Sequence, residues 1–309
     1  MALDALDPFD VGRRLEGLNH ARRTLLPLPL VDRPRPVAAD VLPPFEARPI
    51  AALRGKRVGV VGGAGGGACV ALVGVARALE EAGVEPVAIG ACSGSAVWGA
   101  MWAGGMSSDE MAEFSLSWRP EDYLRIQWTG LPRFALSAMR GFSGVESREA
   151  LGRLLDRRLW HMAAGETAVP FLTLAYDMDR ETLEPLGTTT TPELTLGELV
   201  RIAVARPVAS DAVRVEGDLY VDGGIADGFP ADLLDDDLDH VVGLNLMPVA
   251  DHHFGDRLTL VEPVPHERRR PMSFYEFFLD RRDWPELIRA GYDFTVAALE
   301  PLRRRRARA

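Results

Sequence analysis

The chain has almost nothing with which to build a disulfide framework, because its 309 residues include only two cysteines, Cys69 and Cys92. That scarcity fits a reducing compartment. Lysine is nearly missing too: Lys56 is the only one, and arginine supplies the remaining positive charge. Basic residues are outnumbered, 35 against 45 acids, for a net charge of −10. Sequence-independent nucleic-acid binding needs a cationic surface, so no nucleic-acid partner is expected. No apolar stretch reaches the ~18 residues of a transmembrane helix, since Arg, Glu and Asp interrupt every candidate. Met1 to Asp10 lack a basic region ahead of an apolar run, which argues against a secretory signal. Internal repeats and low-complexity tracts are also lacking. Together these absences predict a soluble, cytoplasmic protein.

Apolar residues, by contrast, are plentiful at 47%, against 26% charged. A sizeable core can therefore be buried, and wholesale disorder is excluded. Residues 1–55 are rich in Pro and Arg, which suits an arm lying across a main domain of residues 56–265. Within that domain Arg57-Val58-Gly59-Val60-Val61 reads as a buried strand, followed by a Gly-rich turn from Gly62 to Gly67. Leu72, Val75, Ala76 and Leu79 recur at helical spacing, and Gly83 supplies a C-terminal cap. Val87-Ala88-Ile89 is a second strand leading into Gly90-Ala91-Cys92-Ser93-Gly94-Ser95, then a helix through Trp98 and Met101. Ser107 with Glu110 forms a capping box for a further helix. The strand–helix alternation predicts an α/β domain with a mainly parallel sheet.

Residues 119–144 are irregular and aromatic, suited to a lid or a packed loop, and 147–159 return to helix. Strands are expected over 169–176 and 240–247, and a helix over 196–205. Residues 266–309 form an Arg-rich helical extension whose stripe of Ile288, Tyr292, Val296 and Leu299 suits a docked helix. A peripheral contact with an anionic membrane is the alternative use of that end.

Three features carry chemistry. The Gly-rich turn before a helix exposes backbone N–H groups to negative charge, as a phosphate site or as an oxyanion hole. The phosphate-loop reading requires Gly-Lys-Ser/Thr, whereas Gly67-Ala68-Cys69 follows here. The dinucleotide reading requires an acid at the end of strand two, where Gly90-Ala91-Cys92 stands instead. The second feature is a serine on a strand-to-helix turn among small neighbours, either an exposed nucleophile or a helix cap. The third is Tyr220-Val221-Asp222-Gly223-Gly224, an acid ending a short strand, which could equally be a plain Asp-Gly turn.

In this order the three features resemble the patatin-like phospholipase family, whose pattern runs G-G-G-x-R-G, G-x-S-x-G and D-G-G or D-G-A. The resemblance covers roughly Arg57 to Pro248. It aligns without gaps from Arg57 through Gly105, with Gly74 and Gly83 on the family's helix and cap glycines and Ser93 on the nucleophile. A second ungapped block from Pro207 to Pro230 puts the acid on Asp222, and Val169-Pro170-Phe171 to Asp177 echoes a family strand ending in a structural aspartate. The resemblance implies a three-layer α/β/α domain and a serine acyl hydrolase of lipid esters without cofactor or metal. Ser93 and Asp222 would form its dyad, and the amides of Gly65, Gly66 and Gly67 its oxyanion hole.

The sequence departs from the family at Ala68, in place of the customary Arg, and at Ser210-Asp211, in place of an apolar stretch. Shifting the elbow by one residue gives G-x-C-x-G and makes Cys92 the alternative nucleophile. A Ser-His-Asp esterase or thioesterase using His240, His252 or His253 is a second alternative, and a non-catalytic binding protein on the same fold a third. His252-His253 lacks carboxylates or cysteines at metal-ligand spacing.

Overall fold

The computed structural model describes residues 38–117, 158–206, 210–247, 253–263 and 284–306. Its strands are β1 (Val58–Gly62), β2 (Ala88–Ala91), β3 (Phe171–Asp177), β4 (Thr182–Gly187), β5 (Val213–Val215), β6 (Asp218–Asp222), β7 (His240–Leu244) and β8 (Leu258–Val261). The longer helices are α1 (Ala71–Glu81), α2 (Ser95–Ala103), α3 (Ser108–Ser117), α4 (Leu196–Ala203) and α5 (Trp284–Arg306). All eight strands join one sheet in the order β5-β6-β3-β2-β1-β7-β8, with β4 also paired to β3. From β3 to β8 that path is parallel, while β4, β5 and β6 pair antiparallel. The expected α/β architecture, a mostly parallel sheet flanked by helices, is the one observed.

β1 shows why the glycine turn is held so firmly. As a central strand it is covered on both faces, and all five of its residues are buried. Val58 and Val60 face the core that contains α1 to α5, whereas Val61 packs with Phe229, Ala231, Leu234 and Leu238 on the opposite face. Side chains alternate across a strand, so one five-residue run serves two cores.

The stripe Leu72, Val75, Ala76 and Leu79 of α1 is fully buried, and Gly83 adopts φ 70° beyond its end. The Ser107–Glu110 box is present: the Ser107 amide and hydroxyl both donate to Glu110 Oε2 at 2.8 Å. α5 crosses α1 at glycines. A methyl group on Gly74 would lie 2.0 Å from Ile288 O, and one on Gly291 would lie 2.1 Å from Ala71 O. Only hydrogen at both positions permits backbones this close. Tyr292 locks the crossing by donating to Glu81 Oε2 at 2.7 Å, beside the buried Arg77–Glu81 pair. Ile288, Tyr292 and Leu299 are thus buried inside the molecule, as a docked terminal helix requires.

Of residues 1–55, only 38–55 are among the described residues. Val41, Leu42, Ile50 and Leu53 are buried, and the amides of Arg48 and Ile50 donate to carbonyls at the end of α1. The irregular segment 119–144 lies outside the described residues. So does the helix expected over 147–159, except 158–159, which open a short 3-10 turn (Arg158–His161).

Candidate active site

β3 positions the site. β4 pairs with one of its edges along Leu172 to Asp177, so β2 and β6 share the other edge. β2 runs parallel and ends with Ala91 opposite Thr173. β6 runs antiparallel and ends with Asp222 opposite Ala175. Their C-terminal ends point at each other across two residues of β3, about 7 Å. The turn after β2 and the turn after β6 meet in that gap.

On the β2 side the chain turns sharply into α2. Ser93 has φ 50°, one of three non-glycine residues with positive φ among the described residues. A left-handed conformation costs an L-residue about 1–2 kcal/mol, and such strain concentrates at functional positions. Gly94 follows, and a methyl group there would sit 2.1 Å from Gly66 O. The elbow and the glycine loop therefore touch backbone to backbone. Ser93 lies just ahead of the α2 N-terminus, where the helix dipole favours developing negative charge.

On the β6 side Asp222 is 2% exposed. Its carboxylate accepts a hydrogen bond from the Gly224 amide at 2.8 Å, and the Ser93 side chain stands close enough to favour its ionised form. Its own amide donates to Ala205 O at 2.9 Å. Burial pushes the carboxyl up to about 6, against the lowering effects of the neighbouring Ser93 hydroxyl, the Gly224 amide and the Arg206 charge. At neutral pH the group is still mostly ionised, and it is a far stronger base than an exposed aspartate. β6 is pinned in place by Arg180, which bridges Asp218 at 2.7 Å and the buried Asp177 at 2.8 Å.

The glycine loop runs from β1 into a 3-10 turn (Gly66–Val70) that continues as α1. It is fastened by Gly63 N to Leu244 O at 2.9 Å and Ala64 N to Gly228 O at 2.7 Å. Gly66 has φ 55°. Among the described residues, the amides of Gly65, Gly66 and Gly67 donate to no protein acceptor. Unused donors at a helix start, beside a nucleophile-like serine, can take up an oxyanion.

Cys92 borders the same space but is fully buried, and its thiol lies 3.7 Å from Asp227 O. Burial, then the nearby Asp222 charge, push that thiol well above its ordinary range. A methyl group on Gly224 would lie 3.0 Å from Asp222 Oδ1 and 3.1 Å from both Cys92 Sγ and Ser93 Cβ, so all three residues meet at one point. Among the described residues, the candidate histidines His240 and His253 do not join them. His240 pairs with Val58 at the opposite end of β1 from Gly62, and its ring contacts Thr259. The His253 ring is held between Asp232 and Asp236, and His252 lies outside the described residues. Sequence reasoning did not single out Arg206. Its signal was a lone arginine directly before Pro207, the start of the acid-bearing block.

A family model described as "Patatin-like phospholipase" matches residues 59–235, more than half of the chain and all of the segment that builds this site. The chain belongs to the patatin-like phospholipase family. A curated relative of this patatin-like chain, the uncharacterized protein R571 of Acanthamoeba polyphaga mimivirus, is 34% identical over 89 residues, or 29% of the chain and 27% of the relative. Similar solved structures include VipD from Legionella pneumophila, with TM-score 0.45, 13% identity and coverage of 80% of this chain and 67% of that one. ExoU from Pseudomonas aeruginosa has TM-score 0.44, 14% identity and coverage of 83% and 53%. Human GIVD cytosolic phospholipase A2 has TM-score 0.48, 11% identity and coverage of 80% and 60%. The patatin-like chain thus spans about a quarter of its viral relative and roughly half to two thirds of these structures.

Proposed function

We propose that the protein is a serine acyl hydrolase of lipid esters, with Ser93 as nucleophile and Asp222 as its base. The observation that carries this reading is the meeting of the left-handed Ser93 turn and the buried Asp222 carboxylate at Gly224, where a methyl group would lie 3.1 Å from Ser93 Cβ and 3.0 Å from Asp222 Oδ1. Asp222 takes the Ser93 proton as the oxygen attacks the ester carbonyl. The carbonyl electrons move to oxygen and are held by the amides of Gly65, Gly66 and Gly67, each such donor being worth about 3–4 kcal/mol. When the intermediate collapses, the C–O bond to the alcohol breaks and Asp222 returns the proton to the leaving oxygen. Water then attacks the acyl-serine, again giving its proton to Asp222. The freed acid leaves and Ser93 recovers its hydrogen.

Cys92 is the weaker nucleophile, because a fully buried thiol with a raised pKa carries little thiolate. A histidine-assisted triad is disfavoured by the remote position of His240 and the carboxylate clamp on His253. The two buried, unpaired thiols support a cytoplasmic setting. No helix among the described residues is long and apolar enough to cross a membrane. On this reading, lipid is met at an interface or as dispersed molecules.

The test is labelling with a fluorophosphonate serine probe, followed by peptide mapping. Wild type and Cys92→Ala should label at Ser93, and Ser93→Ala should not. Labelling that survives Ser93→Ala but disappears with Cys92→Ala would transfer the role to the thiol.

A further inference from the structure

The mouth of the site differs in character from the rest of the molecule. The partly or fully exposed positions around the Ser93–Asp222 pair include Gly66, Gly224, Ile225, Ala226, Gly228 and Met247, beside the half-buried Arg206 and Asp227. Arg206 and Asp227 apart, these positions carry no charge. The Asp227 carboxylate accepts from the Phe229 amide at 3.0 Å. Ile225 is 61% exposed and Met247 42% exposed, two of the six large apolar side chains that stand out among the described residues.

Their positions are fixed by the site itself. Ile225 directly follows Gly224, which lies within a methyl group's reach of Ser93 Cβ. Met247 follows Leu246, whose side chain covers Gly65, and Met247 Cβ would be 3.7 Å from a methyl group on Gly228. One apolar residue therefore flanks the acid turn, and the other stands beside Gly228, whose carbonyl holds the Ala64 amide of the glycine loop.

We infer that Ile225 and Met247 are acyl-chain selectivity residues, which bind the alkyl chain of the ester as it leaves the carbonyl held at Ser93. This rests on Ser93 being the acyl acceptor. An acyl chain is the occupant these side chains fit. It begins one bond from the reacting carbon, and it gains by burying side chains that water otherwise surrounds.

The experiment measures kcat/KM for p-nitrophenyl esters from acetate to laurate, kept below their aggregation threshold. It compares wild type with Ile225→Asn, Met247→Gln and the restoring Ile225→Leu. The readout is the laurate-to-acetate ratio, with active sites counted by a short-chain fluorophosphonate. In wild type the ratio should favour laurate. It should fall about tenfold for each polar replacement and return with Ile225→Leu. A ratio unchanged by the polar replacements overturns the inference while leaving the hydrolase reading intact. So does a loss confined to phosphatidylcholine vesicles, accompanied by weaker vesicle sedimentation, which would make the rim a membrane contact. Failure of wild type to label at Ser93 with the short probe would instead remove the hydrolase reading, and this inference with it.

Discussion

Replacing Asp222 with Asn should stabilise the fold while removing turnover, and the two effects should separate with pH. The Asp222 carboxyl is pushed by burial to about 6, above the 3.8 of an unperturbed aspartate. The folded state therefore holds this proton more tightly than the unfolded chain. As pH rises from about 4 to about 6, the unfolded chain releases its proton first, and stability falls. At ~1.4 kcal/mol per pH unit, the loss comes to about 3 kcal/mol and is complete above pH 6. Asn is nearly isosteric and never ionises, so Asp222→Asn lacks this loss. Paired urea titrations of the two proteins should show the variant's stability advantage growing by about 3 kcal/mol between pH 4 and pH 7. Referring each value to wild type at the same pH cancels the other titrating groups. Ester hydrolysis by the variant should be at background throughout. A stability difference that does not change with pH would refute the claim that Asp222 is a strained buried base, and substantial turnover would refute its role.

For the wild-type enzyme, kcat/KM should fall as pH drops through about 6, because protonated Asp222 cannot accept the Ser93 proton; a flat profile from pH 5 to 8 would contradict this. Ser93→Ala should lower kcat by at least about 10³-fold with little change in melting temperature, checked by steady-state kinetics and calorimetry. Gly94→Ala forces a methyl group to within 2.1 Å of Gly66 O. It should cost activity and about 1–3 kcal/mol of stability together, read from denaturation and probe labelling. His240→Gln should leave kcat within about twofold of wild type, since that side chain sits at the far end of β7.

Much of the sheet was legible because its central strands are short, β-branched and bounded by glycine. Arg57 to Val61 predicts β1 to within one residue, and the helical stripe predicts the buried face of α1. Strands β4, β5 and β8 went unread for separate reasons. β4 is largely exposed and contains Glu184 and Pro185, so its pairing with β3 leaves no apolar pattern. β5 has only three residues, none fully buried. β8 is half-buried along most of its length and alternates weakly. At the site, small residues around Ser93 and the Asp-Gly-Gly run could be recognised because close backbone approach restricts the side chains allowed. The Arg206 charge and the apolar rim could not. They depend on which loops meet after β2 and β6 pair with β3, and nothing local in their own segments records that meeting.

The shared edge of β3 acts as a ruler. Ser93 and Asp222 come from segments 129 positions apart in the chain, and neither carries information about where the other will stand. Their separation is set instead by counting along a third strand, whose residues take no part in the chemistry. Thr173 marks where one partner stops and Ala175 where the other does. A slip of β6 by one position would turn the carboxylate to the wrong face of the sheet, and a slip of two would move it by about 7 Å. The bridge from Arg180 to Asp218 and the Glu216-Gly217 turn at the start of β6 therefore act as registration devices. Tolerance to mutation should follow that geometry, with conservative changes inside β3 disturbing catalysis less than any insertion or deletion between residues 171 and 222.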